Sequence, residues 1–260
     1  MHGSPHALAG DFPAVAADVI ARLRERPARV HCITNAVAQA FTANILLAVG
    51  AIPSMTIAPQ EIADFSARAD ALLVNLGTLD NERRAAIEIA LAQAAERMRP
   101  WVLDPVLIDV SAPRAAYARA LAERKPAVIR LNAAEFAALA DAPASAETLA
   151  RIAEKTNGVI GLTGATDIVS DGKRRVTIAN GHALMQAVTA MGCAASALVS
   201  ACLCVEKDAF IATSCALLAF GVAGEIAAQS AKGPGSFAVA FIDALHALDR
   251  TALIERARVS

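Results

Sequence analysis

This sequence predicts an α/β fold: a mostly parallel central sheet with helices on both faces. Two observations carry that expectation. Short β-branched apolar runs alternate with longer helical patterns, the order of a sheet wound strand, helix, strand. Informative polar residues gather just after the apolar runs, where ligands bind in such sheets. Composition agrees: 56% of the 260 residues are hydrophobic and 19% charged, enough for a large core.

The elements follow in order. Residues 29–34 read as a strand and 36–49 as a helix; 52–57 as a strand and 60–67 as a helix. Residues 71–76 form the next strand and 80–98 a helix, with Asp80 as N-cap and Ile87 and Leu91 on one face. Residues 101–103 are a strand ending at Asp104-Pro105, followed by a helix at 114–123 and a strand at 127–131. Asn132 caps a helix at 133–139, and 146–155 is helical before a strand at 158–162. The pattern then changes. Residues 167–170 and 174–178 flank Asp171-Gly172, a hairpin turn signal. Helices at 192–205, 209–229 and 236–248 complete the chain. No linker or repeat interrupts it, so residues 1–260 are expected to form a single domain.

The charge balance excludes some function classes. A net charge of −1 and a pI near 6.5 give no reason to expect nucleic acid or an acidic membrane as partner. The five cysteines lack CxxC spacing and an accompanying His cluster, which argues against zinc and for a reduced, cytoplasmic setting. Met1 to Asp18 shows no basic region followed by an apolar block, so no signal peptide is expected. Residues 183–205 carry no charge, but with Gln186, Thr189, Gly192, Ser196 and Ser200 they read as a turn plus a buried helix. Residues 209–224 are apolar too, closely flanked by Asp208 and Glu225, and no membrane span is expected there either.

One stretch speaks to chemistry: Val188-Thr189-Ala190-Met191-Gly192-Cys193-Ala194-Ala195-Ser196. It leads a cysteine into a helix start, whose unpaired N–H groups and dipole attract anions. The same field favours a thiolate and can lower a cysteine's pKa; without such a shift Cys193 is mostly protonated and a modest base. An anion cradle beside a potential base suits phosphoryl transfer to an alcohol. A plainer reading makes Cys193 buried filler. Thr34, Asn35, Asn75, Gly77, Thr78, Asp104, Asn132, Glu135, Thr163 and Gly164 all follow strands. Each has a plain explanation as cap or turn residue, but together they converge on one rim of the sheet.

The sequence resembles the hydroxyethylthiazole kinases, thiamine-salvage enzymes of the ribokinase-like superfamily, from about residue 15 onward. The most specific block is His31-Cys32-Ile33-Thr34-Asn35, continuing through Phe41-Thr42-Ala43-Asn44 to Pro53-Ser54-Met55. Asn75-Leu76-Gly77-Thr78-Leu79, Leu103-Asp104-Pro105-Val106, Asn132-Ala133-Ala134-Glu135, Leu162-Thr163-Gly164, Asn180-Gly181-His182 and Lys232-Gly233-Pro234-Gly235-Ser236-Phe237 follow in the family's order.

The resemblance implies a ribokinase-like fold and ATP-dependent phosphorylation of the hydroxyl of 4-methyl-5-(2-hydroxyethyl)thiazole. Asn35, Met55 and the Gly77-Thr78 turn would line the thiazole pocket. Arg130 and Thr163 would contact ATP, the guanidinium gripping phosphate in a bidentate way. Asp104 and Glu135 would hold Mg²⁺, mostly through water. Cys193 would stand where the superfamily places its catalytic base, mostly an Asp, and the backbone from Ala190 through Gly192 to Cys193 would stabilise the transferring group. The family also implies a homotrimer with sites between subunits.

Three family glycines carry side chains here: Leu107 after Asp-Pro-Val, Leu131 in Arg130-Leu131-Asn132, and Ala190 in Val188-Thr189-Ala190. The expectation is that these positions adopt negative φ or that the loops have moved. Leu107 and Met191 are expected to fill part of the pocket. Those changes keep two alternatives open: a kinase for another small primary alcohol, or a non-catalytic ligand-binding member of the fold.

Overall fold

A computed structural model describes residues 5–260. Its strands are β1 (Arg29–Ile33), β2 (Ile52–Ser54), β3 (Ala71–Asn75), β4 (Trp101–Asp104), β5 (Val128–Asn132), β6 (Val159–Thr163), β7 (Asp167–Ser170) and β8 (Arg175–Ile178). They form one sheet in the order β2-β1-β3-β4-β5-β6-β7-β8. The pairs from β2 to β6 are parallel, and β7 and β8 pair antiparallel. The antiparallel edge follows from Asp171-Gly172. Gly172 adopts φ +91°, and Asp171 Oδ1 accepts the N–H groups of Lys173 and Arg174 at 2.9 and 2.6 Å.

The helices are α1 (Pro5–Glu25), α2 (Gln39–Ala48), α3 (Ile62–Arg68), α4 (Asn81–Glu96), α5 (Ala112–Ala122), α6 (Ala133–Ala140), α7 (Ala146–Thr156), α8 (Met191–Val205), α9 (Ala209–Ser230), α10 (Pro234–Ala247) and α11 (Arg250–Arg256). Alternation along the strands feeds two cores, one on each face. Cys32, Leu73, Val102, Val128 and Val159 join the core of α1, α2 and α8 to α11. Leu72, Val74, Leu103, Ile129 and Ile160 join that of α3 to α7, where Phe136 is wholly buried. Burial on both faces is why these strands read as continuous apolar runs.

Local chemistry explains where helices start. Asp80 caps α4 by accepting the N–H of Arg83 at 2.7 Å, as its sequence position predicts. Asn132 and Glu135 form a reciprocal capping box at α6, both bonds 2.9 Å. Helix α2 starts at Gln39 rather than 36, because residues 36–38 form a turn in which Ala38 N–H donates to the Asn35 side chain at 2.9 Å.

Two helices were not expected. Pro13 inside α1 obscures its periodicity, yet Ala16, Val19, Ile20 and Leu23 are buried at helical spacing. Helix α11 is short and buries Leu253 against the same core. The reading of Met1 to Asp18 falls partly outside the described residues. Residues 183–205 divide into a 3-10 turn, Ala183–Ala187, and α8. Among the described residues α9 alone is long and apolar enough to cross a membrane, and 78% of its most apolar window is buried in the fold.

Candidate active site

The carboxyl ends of the parallel strands meet the start of α8. A cavity of about 580 Å³ opens there, lined in part by Arg130, Thr163, Asp167, Met191 and Gly192. Arg130, on β5, donates through Nη2 to Thr163 Oγ1 on β6. Gly192 sits against that guanidinium: a Cβ at residue 192 would lie 2.6 Å from Arg130 Nη1. A side chain at 192 would therefore push the guanidinium from this position, while the backbone angle itself does not call for glycine. The N–H of Ala194 closes on Ala190 O at 2.9 Å, so the amides before it form the open start of α8. A guanidinium and a helix start facing one cavity make an anion cradle.

A buried polar cluster stands beside the cavity. Asp104, at the end of β4, is wholly buried. Its Oδ2 accepts Asn75 Nδ2 at 2.8 Å and Ser196 Oγ at 2.9 Å, while Oδ1 has no partner. Burial pushes its carboxyl up to about 6, with Arg130 pulling it down and Glu135 pushing it further up. Asn35 Nδ2 donates to Asn75 Oδ1 at 3.1 Å and to Cys193 Sγ at 3.2 Å. Gly77 packs directly on Asn35, a Cβ there falling 2.8 Å from Asn35 Cβ. Thr78 Oγ1 accepts the N–H of Ala36 at 3.2 Å. Asn35, Gly77, Thr78, Asp104 and Cys193 thus form one connected group.

Glu135 joins through its backbone partners. Its Oε1 accepts Leu107 N–H and its Oε2 accepts Asn132 N–H, both at 2.9 Å. Met55, partly buried, directly follows β2 near the sheet's edge and does not line the cavity.

The structure decides two points that the sequence left open. The Cys193 thiol is not lowered: burial pushes it up to about 11, the nearby Asp104 charge adds to this, and the amides of Asn75 and Asn35 offset only part. Desolvation outweighs the helix start because the sulfur is largely withdrawn from water. Of the three lost glycines only Leu131 meets the expectation of negative φ. Leu107 holds φ +57° and Ala190 φ +70°, conformations that cost an L-residue roughly 1–2 kcal/mol. Leu131 lies in β5 and is wholly buried, so no strain arises there. Leu107 is 53% exposed, which leaves most of its side chain in solvent rather than in a pocket. Met191 is buried and lines the cavity, as expected.

Three polar residues had no role assigned from sequence. Asn75 stands at a strand end and opens a family block, and its bonds to Asn35 and Asp104 are what the structure adds. Ser196 was legible, because it follows Cys193 by three positions and so shares a face of α8. Asp167 carried no signal. It lines the cavity because the β6–β7 turn folds Gly164 N–H onto its Oδ1 at 2.9 Å, and burial pushes its carboxyl up to about 6.

Known proteins are similar to this chain in sequence and fold. The model of the hydroxyethylthiazole kinase family matches residues 20–251. The chain belongs to the hydroxyethylthiazole kinase family. A hydroxyethylthiazole kinase from Rhizobium etli (strain CIAT 652) is 47% identical over 252 residues, covering 92% of this chain and 98% of the relative. The structure of a hydroxyethylthiazole kinase protein from Pyrococcus horikoshii OT3 superposes with a TM-score of 0.91 at 35% identity, over 95% of this chain and 98% of that one. A ribokinase-like superfamily protein from Enterococcus faecalis V583, 14% identical over 88% of this chain and 93% of its own, gives 0.66 and shares the fold. The α/β architecture of this family member is thus the ribokinase-like one expected from its sequence.

Proposed function

We propose that this chain transfers the γ-phosphoryl group of ATP to the hydroxyl of 4-methyl-5-(2-hydroxyethyl)thiazole, a step of thiamine salvage. One observation carries the reading: Arg130, Gly192 and the start of α8 form an anion cradle beside the buried Asp104–Asn75–Asn35–Cys193 cluster, in a member of this family.

Arg130 and Thr163 hold the nucleotide phosphates, and the absence of a side chain at Gly192 leaves Arg130 room to do so. The hydroxyethyl oxygen attacks the γ-phosphorus in line, the bond to the β-phosphate oxygen breaks, and ADP leaves. The helix-start amides from Ala190 to Cys193 stabilise the charge on the transferring group, which with positioning supplies most of the acceleration. Asn35, Met55, Gly77, Thr78 and Ala190 hold the thiazole alcohol.

Cys193 stands at the position of the base. With its thiol raised to about 11 it is protonated at neutral pH, so it orients the hydroxyl, whose proton passes to an oxygen of the transferred phosphoryl group and from there to water. Slow turnover follows.

The residues fit Mg²⁺. Asp104 offers a buried carboxylate oxygen that no protein group satisfies, and Glu135 keeps spare lone pairs beyond its two amide bonds. Among the described residues no three acidic, Cys or His side chains gather tightly enough for a fully protein-held ion, which suits a hydrated one. When bound, Mg²⁺ neutralises phosphate charge.

A homotrimer with sites between subunits completes the proposal, as does folding of residues 1–260 as a single domain in the cytoplasm, where five free thiols suit a reducing environment. Val37, Leu47, Ile52 and Phe65 are 42–64% exposed around the β2 edge, the end of the sheet that carries Met55. Light scattering after size exclusion tests this; a clean monomer refutes the trimer.

The decisive experiment is ADP release from Mg²⁺-ATP with and without the thiazole alcohol. Thiazole-dependent release is expected. Binding of the thiazole without release would instead support a non-catalytic member.

A further inference from the structure

One side of the cavity is built by residues 180–186, among them Asn180, Gly181, His182 and Met185. Helix α9 carries this segment on a single face, through Gly221, Gly224 and Glu225, which stand three and four positions apart. At 221 the contact is with backbone and excludes a side chain; at 224 it is with the flexible end of Met185, which a side chain would push aside. A Cβ at 221 would meet Asn180 O at 2.7 Å, and one at 224 would meet Met185 Sδ at 2.6 Å.

Glu225 fastens what the glycines admit. Its Oε1 accepts Asn180 Nδ2 at 3.0 Å and Gly181 N–H at 2.9 Å. Gly181 holds φ +140°, a backbone state that only glycine adopts comfortably, so its amide direction is set by that bond. Arg258 Nη2 then donates to the same Oε1 at 2.5 Å and to Ala179 O at 2.7 Å. The chain around Arg258 closes the arrangement: Asn180 Nδ2 reaches Arg256 O and Arg258 N–H reaches Asn180 Oδ1, both at 2.7 Å. Residues 258–260 also pair along β8, with Ala179 N–H on Arg258 O at 2.9 Å and Thr177 N–H on Ser260 O at 2.8 Å. Arg256, Arg258 and Ser260 lie beyond residue 251, where the family match ends.

We infer that Glu225 and Arg258 are positioning residues for the nucleotide: they hold residues 180–186 as a fixed wall of the cavity, so that ATP meets a preformed site. Neither residue lines the cavity, so neither touches the nucleotide directly. The inference rests on the reading of this cavity as the ATP site. A wall held from behind lowers the ordering cost of binding. Loosening it weakens nucleotide binding and leaves alcohol binding alone.

The test compares Michaelis constants for both substrates in three variants, with Arg130→Ala as reference. Glu225→Ala is expected to raise KM for ATP about tenfold, with KM for the thiazole alcohol within about twofold of the parent. Glu225→Gln keeps a neutral acceptor for Asn180 and Gly181 and is expected to recover most of the loss. Arg258→Ala is expected to raise KM for ATP about threefold. Its side chain is 53% exposed, so it carries the test if Glu225→Ala does not fold. Equal changes in both constants, tracking a lowered melting temperature, would reduce the pair to general stability and overturn the proposal. If Arg130→Ala raises KM for ATP and the Glu225 and Arg258 variants do not, the proposal alone falls. If none of them does, the nucleotide reading of the cavity falls with it.

Discussion

The two halves of the strand-end rim are built on opposite principles. On the β5–β6 side Arg130, Thr163 and Gly192 face a cavity of about 580 Å³. On the β1–β3 side Asn35 bonds to both Asn75 and Cys193, and none of the three lines that cavity. A cationic, open half suits a large, charged, hydrated ligand. A closed half built of amides and a thiol suits a small neutral one. The difference teaches where each kind of mutation acts: removing Arg130 deletes a ligand contact, whereas removing Asn35 also leaves buried partners unpaired.

The largest effect tests the cationic half. Arg130→Ala is expected to lower kcat/KM for ATP by about a hundredfold or more, with little change in KM for the alcohol. Steady-state kinetics with each substrate varied in turn measures this, and an equal rise in both constants would erase the division between the halves.

The next two sharpen the neutral half. Met55→Ala is expected to raise KM for the alcohol about tenfold while KM for ATP stays put, the size of effect that removing part of an apolar pocket produces. An unchanged alcohol KM would take Met55 out of the pocket. Cys193→Asp is expected to raise kcat about tenfold, because a carboxylate is ionised where the thiol, pushed up to about 11, is not. The gain stays at the low end of general-base effects because Asp104 stands nearby and disfavours a second negative charge. No gain, or a loss, would remove Cys193 from the base position.

Smaller effects concern what the fold tolerates. Leu107→Gly and Ala190→Gly both relieve a left-handed backbone, and each is expected to add about 0.5–1 kcal/mol of stability. Melting temperatures check this; a drop would show that the side chains contribute packing that exceeds the strain.

Asp167 gives a signal of similar size, confined to one pH window, and its sign can be worked out. Its folded carboxyl is raised to about 6 from an ordinary value of 3.8. Below pH 4 it is neutral folded or unfolded, and its contribution is fully present. As pH rises toward 6 the unfolded chain ionises first, so that contribution is lost. Asp167→Asn should therefore flatten the fall in stability between pH 4 and 6, by about 1 kcal/mol after solvent screening. Parallel slopes in parent and variant would show that Asp167 is not held in its neutral form.

Much of this was legible beforehand. Asp80 and Asn132 cap helices as their positions announce, because capping depends on a few neighbouring residues. The hairpin at Asp171-Gly172 is equally local. Less legible were α1, where Pro13 breaks the expected pattern, and Asp167, whose place depends on how a turn folds back. The direction of the Cys193 shift was not legible, because local sequence reports the helix start but not the depth of burial.

The sequence by itself determined the strand–helix order, the turn chemistry and the family motifs, all of which reside in short-range spacing. Only the tertiary structure decided the rest. It set which carboxyls are desolvated, that Leu107 and Ala190 keep a strained backbone, and that Glu225 and Arg258 stand behind one wall of the cavity. The physical reason is the same in each case: desolvation, strain and long-range hydrogen bonding depend on what other parts of the chain bring to a residue, and spacing along the chain does not record that.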